Sequence, residues 1–281
     1  MQKKILLCTD FSKSSWNAIQ YAVKLYEDQD CDFYILNTYA KDVYGLEGYT
    51  LLDPDEAFGK LSENHSKKEL GHILTRLSEI HKNRNHRFHA ISRSELFRDA
   101  VKNLVESLQL DLIVMGAKGL STEGEGKYGK NTLRVVEHIR SCPVLVVPGN
   151  AAFDRPEEIV LATNFTTDFN EPEIKYLVEI AKINNAHIQV LSLADGSNMT
   201  SQQKQNKMLL RKHLKGTDHK FNVVHNVKMS AALSAFVEIK QSNMISYLDK
   251  KPSLWETLGL VKPSFGKLGF FKDVPVLALH G

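Results

Sequence analysis

Ile5-Leu6-Leu7-Cys8-Thr9-Asp10-Phe11-Ser12 returns later in the chain as Ile159-Val160-Leu161-Ala162-Thr163-Asn164-Phe165-Thr166. A short, continuous apolar run that ends in Thr-Asp or Thr-Asn reads as a strand covered on both faces, followed at once by a loop. The closing stretch Cys142-Pro143-Val144-Leu145-Val146-Val147-Pro148 returns in the same way, as Val274-Pro275-Val276-Leu277-Ala278-Leu279-His280. A repeat of this length denotes a duplicated domain, not a solenoid of short units. The 281 residues therefore divide into a first domain over 1–149 and a second over 154–281. A breaker-rich hinge, Pro148-Gly149-Asn150 through Arg155-Pro156, lies between them.

Within each copy, strands alternate with amphipathic helices. In the first, strands are expected at 5–8, 33–36, 87–91, 112–115 and 144–147. Helices fall at 14–27, at 56–82, around Ala100 to Leu108, and around Val135 to Ile139. The second copy has strands at 159–163, 188–193, 223–227, 244–247 and 276–279, and the material between its second and third strands is shortened to about 194–222. Such alternation implies parallel pairing with right-handed crossovers, hence two doubly wound α/β domains of five parallel strands each.

Composition narrows the function classes. Residues 1–150 carry 20 basic and 20 acidic side chains and residues 151–281 carry 16 and 13, so the net +3 belongs to the second half. That charge is too small to imply a nucleic-acid partner. No stretch approaches the roughly 20 apolar residues of a membrane helix and no secretory leader is evident, so a cytoplasmic location is expected. Cys8, Cys31 and Cys142 lie at strand-like positions without a CxxC spacing and read as reduced core thiols. His81, His86 and His89 sit in a basic run without nearby acidic or cysteine partners, so no metal site is expected there. No catalytic elbow or zinc-helix pair is present, and Ser12, Ser14 and Ser15 read as caps of the first helix.

The chemistry gathers where the first copy's strands end. In an open parallel sheet, ligands bind at the carboxyl ends of strands near the point where the winding reverses. Thr9 and Asp10 end the first strand, Thr38 follows the second, and Met115-Gly116-Ala117-Lys118-Gly119 ends the fourth. Gly129 then opens a helix through Lys130, Asn131 and Thr132, which bring a cation and two hydrogen-bonding side chains to a helix start suited to phosphate. Aligned without a gap, the second copy has Leu248, Lys251 and Val261 in place of Gly116, Gly119 and Gly129, and Asn164 in place of Asp10. Only the first copy is expected to bind. The second copy's basic loop, with Lys250, Lys251, Lys262, Lys267 and Lys272 among Trp255, Phe265, Phe270 and Phe271, reads either as packing or as a surface for an anionic partner.

The opening stretch 4–12, the loop Asp111-Leu112-Ile113-Val114-Met115-Gly116-Ala117-Lys118-Gly119 with Gly129, and the ending 142–148 resemble the universal stress protein family. The whole resembles a two-domain member whose second copy is degenerate. That resemblance implies binding of ATP with Mg or Mn, with at most slow hydrolysis. It implies that Asp10 and Thr38 serve the adenosine part, and that Gly116, Gly119, Gly129, Lys130 and Asn131 serve the ribose and phosphates. Partner binding or a homodimer would carry the signal onward. The chain departs from the family pattern at Lys130, where Ser or Thr is expected, and Glu123 and Glu125 reduce the 116–131 loop to +1. A nucleotide-free scaffold acting through protein contacts is the alternative.

Overall fold

A computed structural model describes residues 2–39, 54–81, 83–118, 128–193, 199–250 and 269–280. Among these residues ten strands form one continuous sheet. The first five are β1 (Lys3–Cys8), β2 (Cys31–Thr38), β3 (His86–Arg93), β4 (Leu112–Gly116) and β5 (Val144–Val147). The second five are β6 (Glu158–Ala162), β7 (His187–Ser192), β8 (His219–Val223), β9 (Met244–Asp249) and β10 (Val276–His280). Their order is β3-β2-β1-β4-β5-β10-β9-β6-β7-β8, so the second half repeats the first in reverse across the middle of the sheet. Within each half every pairing is parallel.

The two five-stranded units meet edge to edge, through antiparallel pairing of β5 with β10. Sequence reading expects the two units but not this join. Leu145 faces Leu277, and these are equivalent positions of the repeat, so the seam is self-complementary in the manner of a two-fold interface. Each edge strand thereby satisfies the backbone groups of the other.

Alternation along the buried strands supplies both faces of the sheet. Ile5 and Leu7 point into one apolar layer with helices α1 (Lys13–Leu25), α2 (Pro54–Ile80), α5 (Glu171–Asn184) and α6 (Ser201–His213). Leu6 and Cys8 point into the other, with α3 (Phe97–Leu108), α4 (Lys130–His138) and α7 (Met229–Lys240). Ile5, Leu6 and Leu7 have no exposed surface, and full burial of such side chains contributes about 2 kcal/mol each. Burial pushes the thiols of Cys8 and Cys31 up to about 12, as befits core residues.

Two expectations need correction in the second half. The strand expected at 223–227 is His219–Val223, because its register is set by Ile188 opposite His219 and because Asn226 turns at φ 59. Helix α6 occupies part of the stretch that sequence reading treats only as shortened. Its start is marked by Thr200, which accepts from the Gln203 amide while the Gln203 side chain accepts from the Thr200 amide.

Candidate functional site

β1 and β4 are neighbours, yet the chain winds in opposite directions from them, so the crevice expected of this topology opens at their carboxyl ends. Two residues beyond the pair Leu7 and Val114 come Thr9 and Gly116. On the other side of β1, two residues beyond Cys8 and Leu36, come Asp10 and Thr38. The β1–α1 turn is fixed locally. The Thr9 hydroxyl accepts from the Phe11 amide at 3.0 Å, and the Asp10 carboxylate accepts from the Ser12 amide at 3.1 Å. Ser12 caps α1 by accepting from the Ser15 amide at 3.1 Å. Asn37 donates to the Thr9 carbonyl at 2.9 Å and holds the turn to β2.

Gly116 is glycine for a reason that sequence reading misses. A Cβ built on it would lie 2.7 Å from the Ser14 hydroxyl oxygen and 3.2 Å from the Ser14 carbonyl carbon. The start of α1 therefore rests directly on the end of β4. Ser14, expected to be a cap, instead has a buried hydroxyl with no hydrogen-bond partner among the described residues. Asn17 extends the same docking by donating to the carbonyls of Pro148 and Ala151.

Gly129 is the N-cap of α4, with no side-chain cap and no acidic residue in the first turn. Its amide donates to the Ala117 carbonyl at 2.8 Å, tying the helix start to the end of β4. The first turn of a helix presents backbone N–H groups without intrahelical acceptors, and the helix dipole favours an anion there. Lys130 and Asn131 are exposed beside these amides. Thr132 is buried and its hydroxyl donates to the Gly116 carbonyl at 3.0 Å, so it braces the site from behind. Met115 is likewise a core residue on the α3 and α4 face, since strand alternation turns it away from α1. Lys118 places its ammonium 5.1 Å from the centre of the Phe270 ring. Gly119, Glu123 and Glu125 lie outside the described residues.

The structure thus brings Thr9, Asp10, Thr38, Gly116, Lys118, Gly129, Lys130 and Asn131 to one end of neighbouring elements. It supplies backbone donors, two cations and one carboxylate, a set able to hold a polyanion with a hydroxyl-bearing moiety. Among the described residues no cluster of three His, Cys, Asp or Glu side chains is placed to hold a metal ion. His86 instead contacts the Tyr26 carbonyl at 3.1 Å, and His89 approaches Asp32 at 3.4 Å.

At the corresponding place in the second half the described side chains are engaged with their own neighbours. The Asn164 side chain accepts from the Leu193 amide at 3.2 Å, bridging the ends of β6 and β7. Gln203 of α6 donates to the Asn164 carbonyl at 2.9 Å. Lys250, the counterpart of Lys118, is ion-paired with Glu173 and lies 3.6 Å from Asp168. Glu173 also accepts from the Asn170 amide at the start of α5. Leu248 occupies the place of Gly116, opposite Leu279 in the sheet. Of the second half's basic aromatic loop, Lys250, Phe270, Phe271 and Lys272 fall within the described residues. Lys250, Phe270 and Phe271 make contacts inside the molecule, and Lys251, Trp255, Val261, Lys262, Phe265 and Lys267 fall outside.

An α/β sheet with this strand order is doubly wound, a class of fold whose ligand sites lie at the winding reversal. The model of the universal stress protein family matches residues 1–148, more than half of the 281, and the chain belongs to that family. A universal stress protein from Archaeoglobus fulgidus DSM 4304 is similar over 99% of this chain and 96% of its own, at 13% identity and a TM-score of 0.67. Universal stress protein UspA from Lactobacillus plantarum is similar over 51% of this chain and 96% of its own, at 20% identity and a TM-score of 0.43. At 13% identity the likeness to the Archaeoglobus protein concerns the fold. A search of curated proteins gives no match. No helix of the described residues is long and apolar enough to cross a membrane.

Proposed function

We propose that this chain is a cytoplasmic stress-response module with two domains, over 1–149 and 154–281, that binds one adenine nucleotide in the crevice of its first half. It acts through shape or partners, not through turnover. The observation that carries this is the contrast between a helix start left uncapped at Gly129 and the equivalent positions of the second half, where Asn164 is bonded to the Leu193 amide and Lys250 is ion-paired. The residues fit an ATP triphosphate: the amides at the start of α4 receive an oxyanion, Lys130 and Lys118 supply charge, and Asp10 with Thr38 lies on the side left for the nucleoside. ATP brings Mg or Mn with it, the ion screening the phosphates. Holding the ligand at the ends of three strands while α1 rests on β4 is a way of converting occupancy into a change of surface.

Titration calorimetry of the full chain with MgATP is the test. One site per chain is expected, and chelation of the divalent ion weakens ATP binding more than adenosine binding. A stoichiometry near two contradicts the asymmetry. Absence of binding leaves the scaffold function, in which the same fold works through protein contacts alone.

A further inference from the structure

Both described ends of the glycine loop converge on one aromatic ring from the other half of the molecule. Lys118, two residues beyond β4, holds its ammonium 5.1 Å from the centre of the Phe270 ring. Tyr128, immediately before the N-cap Gly129, meets the same ring edge-on, with centroids 5.0 Å apart at 67°. The Phe271 backbone lies within hydrogen-bonding reach of the Tyr128 phenol, which burial pushes well above its ordinary pKa. Tyr128 is 9% exposed, and the half-buried Phe270 packs against the same apolar layer. Gly129 follows with its own amide fixed on Ala117.

Resting on the nucleotide-binding proposal for its ligand, we infer that Phe270 is a positioning residue for the first half's site, and that the second half tunes the first through this ring. A ring face stabilises the Lys118 cation and a ring edge fixes Tyr128, so a single side chain sets the spacing between the cation at 118 and the helix start at 129. A preorganised donor set binds an anion more tightly than the same groups left to order on binding. Phe270 touches no ligand itself and acts through its two neighbours. The consequence is a reciprocal coupling: what displaces Phe270 weakens nucleotide binding, and bound nucleotide holds Phe270 in place.

The test uses the full chain with Phe270→Ala, Phe270→Leu and Phe270→Tyr, read by MgATP affinity and by amide hydrogen exchange over Leu133–Val136 without ligand. Leu keeps apolar bulk but has no ring face, whereas Tyr keeps the ring. Affinity is expected to fall about fivefold to tenfold in the Ala and Leu variants and to return to within twofold in the Tyr variant. Exchange at Leu133–Val136, the first amides bonded within α4, should quicken at least fivefold in the Ala variant while β1 stays protected. Unchanged affinity and exchange in Phe270→Ala overturns the inference. Wild-type behaviour of Phe270→Leu overturns the role of the ring face. If wild-type chain binds no MgATP, the nucleotide proposal is what fails, and exchange alone then decides whether Phe270 holds the start of α4.

Discussion

After β1 the chain turns through Phe11 at φ 64, and after β6 it turns through Phe165 at φ 57. In both turns a threonine hydroxyl accepts the phenylalanine amide, at 3.0 Å from Thr9 and 2.9 Å from Thr163. The threonine amide donates to the neighbouring strand in both, to Leu36 at 2.9 Å and to Leu191 at 3.0 Å. A bulky residue in the left-handed region costs about 1 kcal/mol or more, so its retention in both halves points to a turn that the fold itself requires. One residue away the halves part company: the Asp10 carboxylate turns inward to the Ser12 amide, whereas Asn164 reaches across to Leu193. The turn backbone is common to the two halves, and the side chain that follows the threonine finds a different partner in each.

The largest expected effect of a single change falls on the seam that holds the two crevices in one sheet. Arg140 of the first half pairs with Asp249 of the second at 2.7 Å and donates to the Asp249 carbonyl at 2.8 Å, with the Asp249 side chain only 5% exposed. Removing one partner leaves a buried charge uncompensated. Arg140→Ala should therefore lower the stability of the whole chain by about 3 kcal/mol in urea unfolding. A loss below about 1 kcal/mol would mean that the halves are coupled by the strand pairing and not by this ion pair.

A smaller effect separates the two explanations of Gly116. An added Cβ would meet Ser14, so Gly116→Ala should cost about 2 kcal/mol through overpacking, before any ligand is considered. Ser14→Ala removes a buried hydroxyl without a partner and should be close to neutral. Combined, the two should recover at least half of the loss, a coupling that thermal melts of all four proteins will read. If the double variant is folded normally yet binds no MgATP, glycine at 116 serves the ligand as well as the helix.

How much of this was legible follows the range of the interactions. The repeat, the buried strands and the convergence of Thr9, Asp10, Thr38, Gly116 and Gly129 are consequences of local pattern and parallel topology, and both were readable. Ser14 against Gly116, Thr132 on the Gly116 carbonyl and Phe270 against Lys118 are not, because each joins residues 16 or more positions apart through side-chain packing. Met115 was grouped with the site through its place in a motif, yet strand alternation, visible in the sequence, turns it into the core. Helix α6 announced itself by Thr200 and Gln203, but its thin apolar stripe, with Met208 72% exposed, hid it.

The last effect concerns pH, vanishes above the titration window, and tests whether the seam is as dry as its contacts imply. His280 ends β10, is 8% exposed, and has Arg140 at 3.5 Å from Nδ1. Burial first, and the Arg140 charge second, lower its pKa to about 3. In the unfolded chain the imidazole takes up a proton near pH 6.5, while the folded chain holds it neutral to about pH 3. Between those values the unfolded state binds more protons, so stability falls as the pH drops through that window and is unaffected by His280 above it. The slope from this one group is at most about 1.4 kcal/mol per pH unit. His280→Leu should flatten the decline between pH 6 and pH 4 by about 1 kcal/mol per unit, measured by urea unfolding at each pH against wild type. An unchanged slope would place the imidazole in contact with water and would make the seam between the halves a hydrated one, at odds with the buried Asp249 beside it.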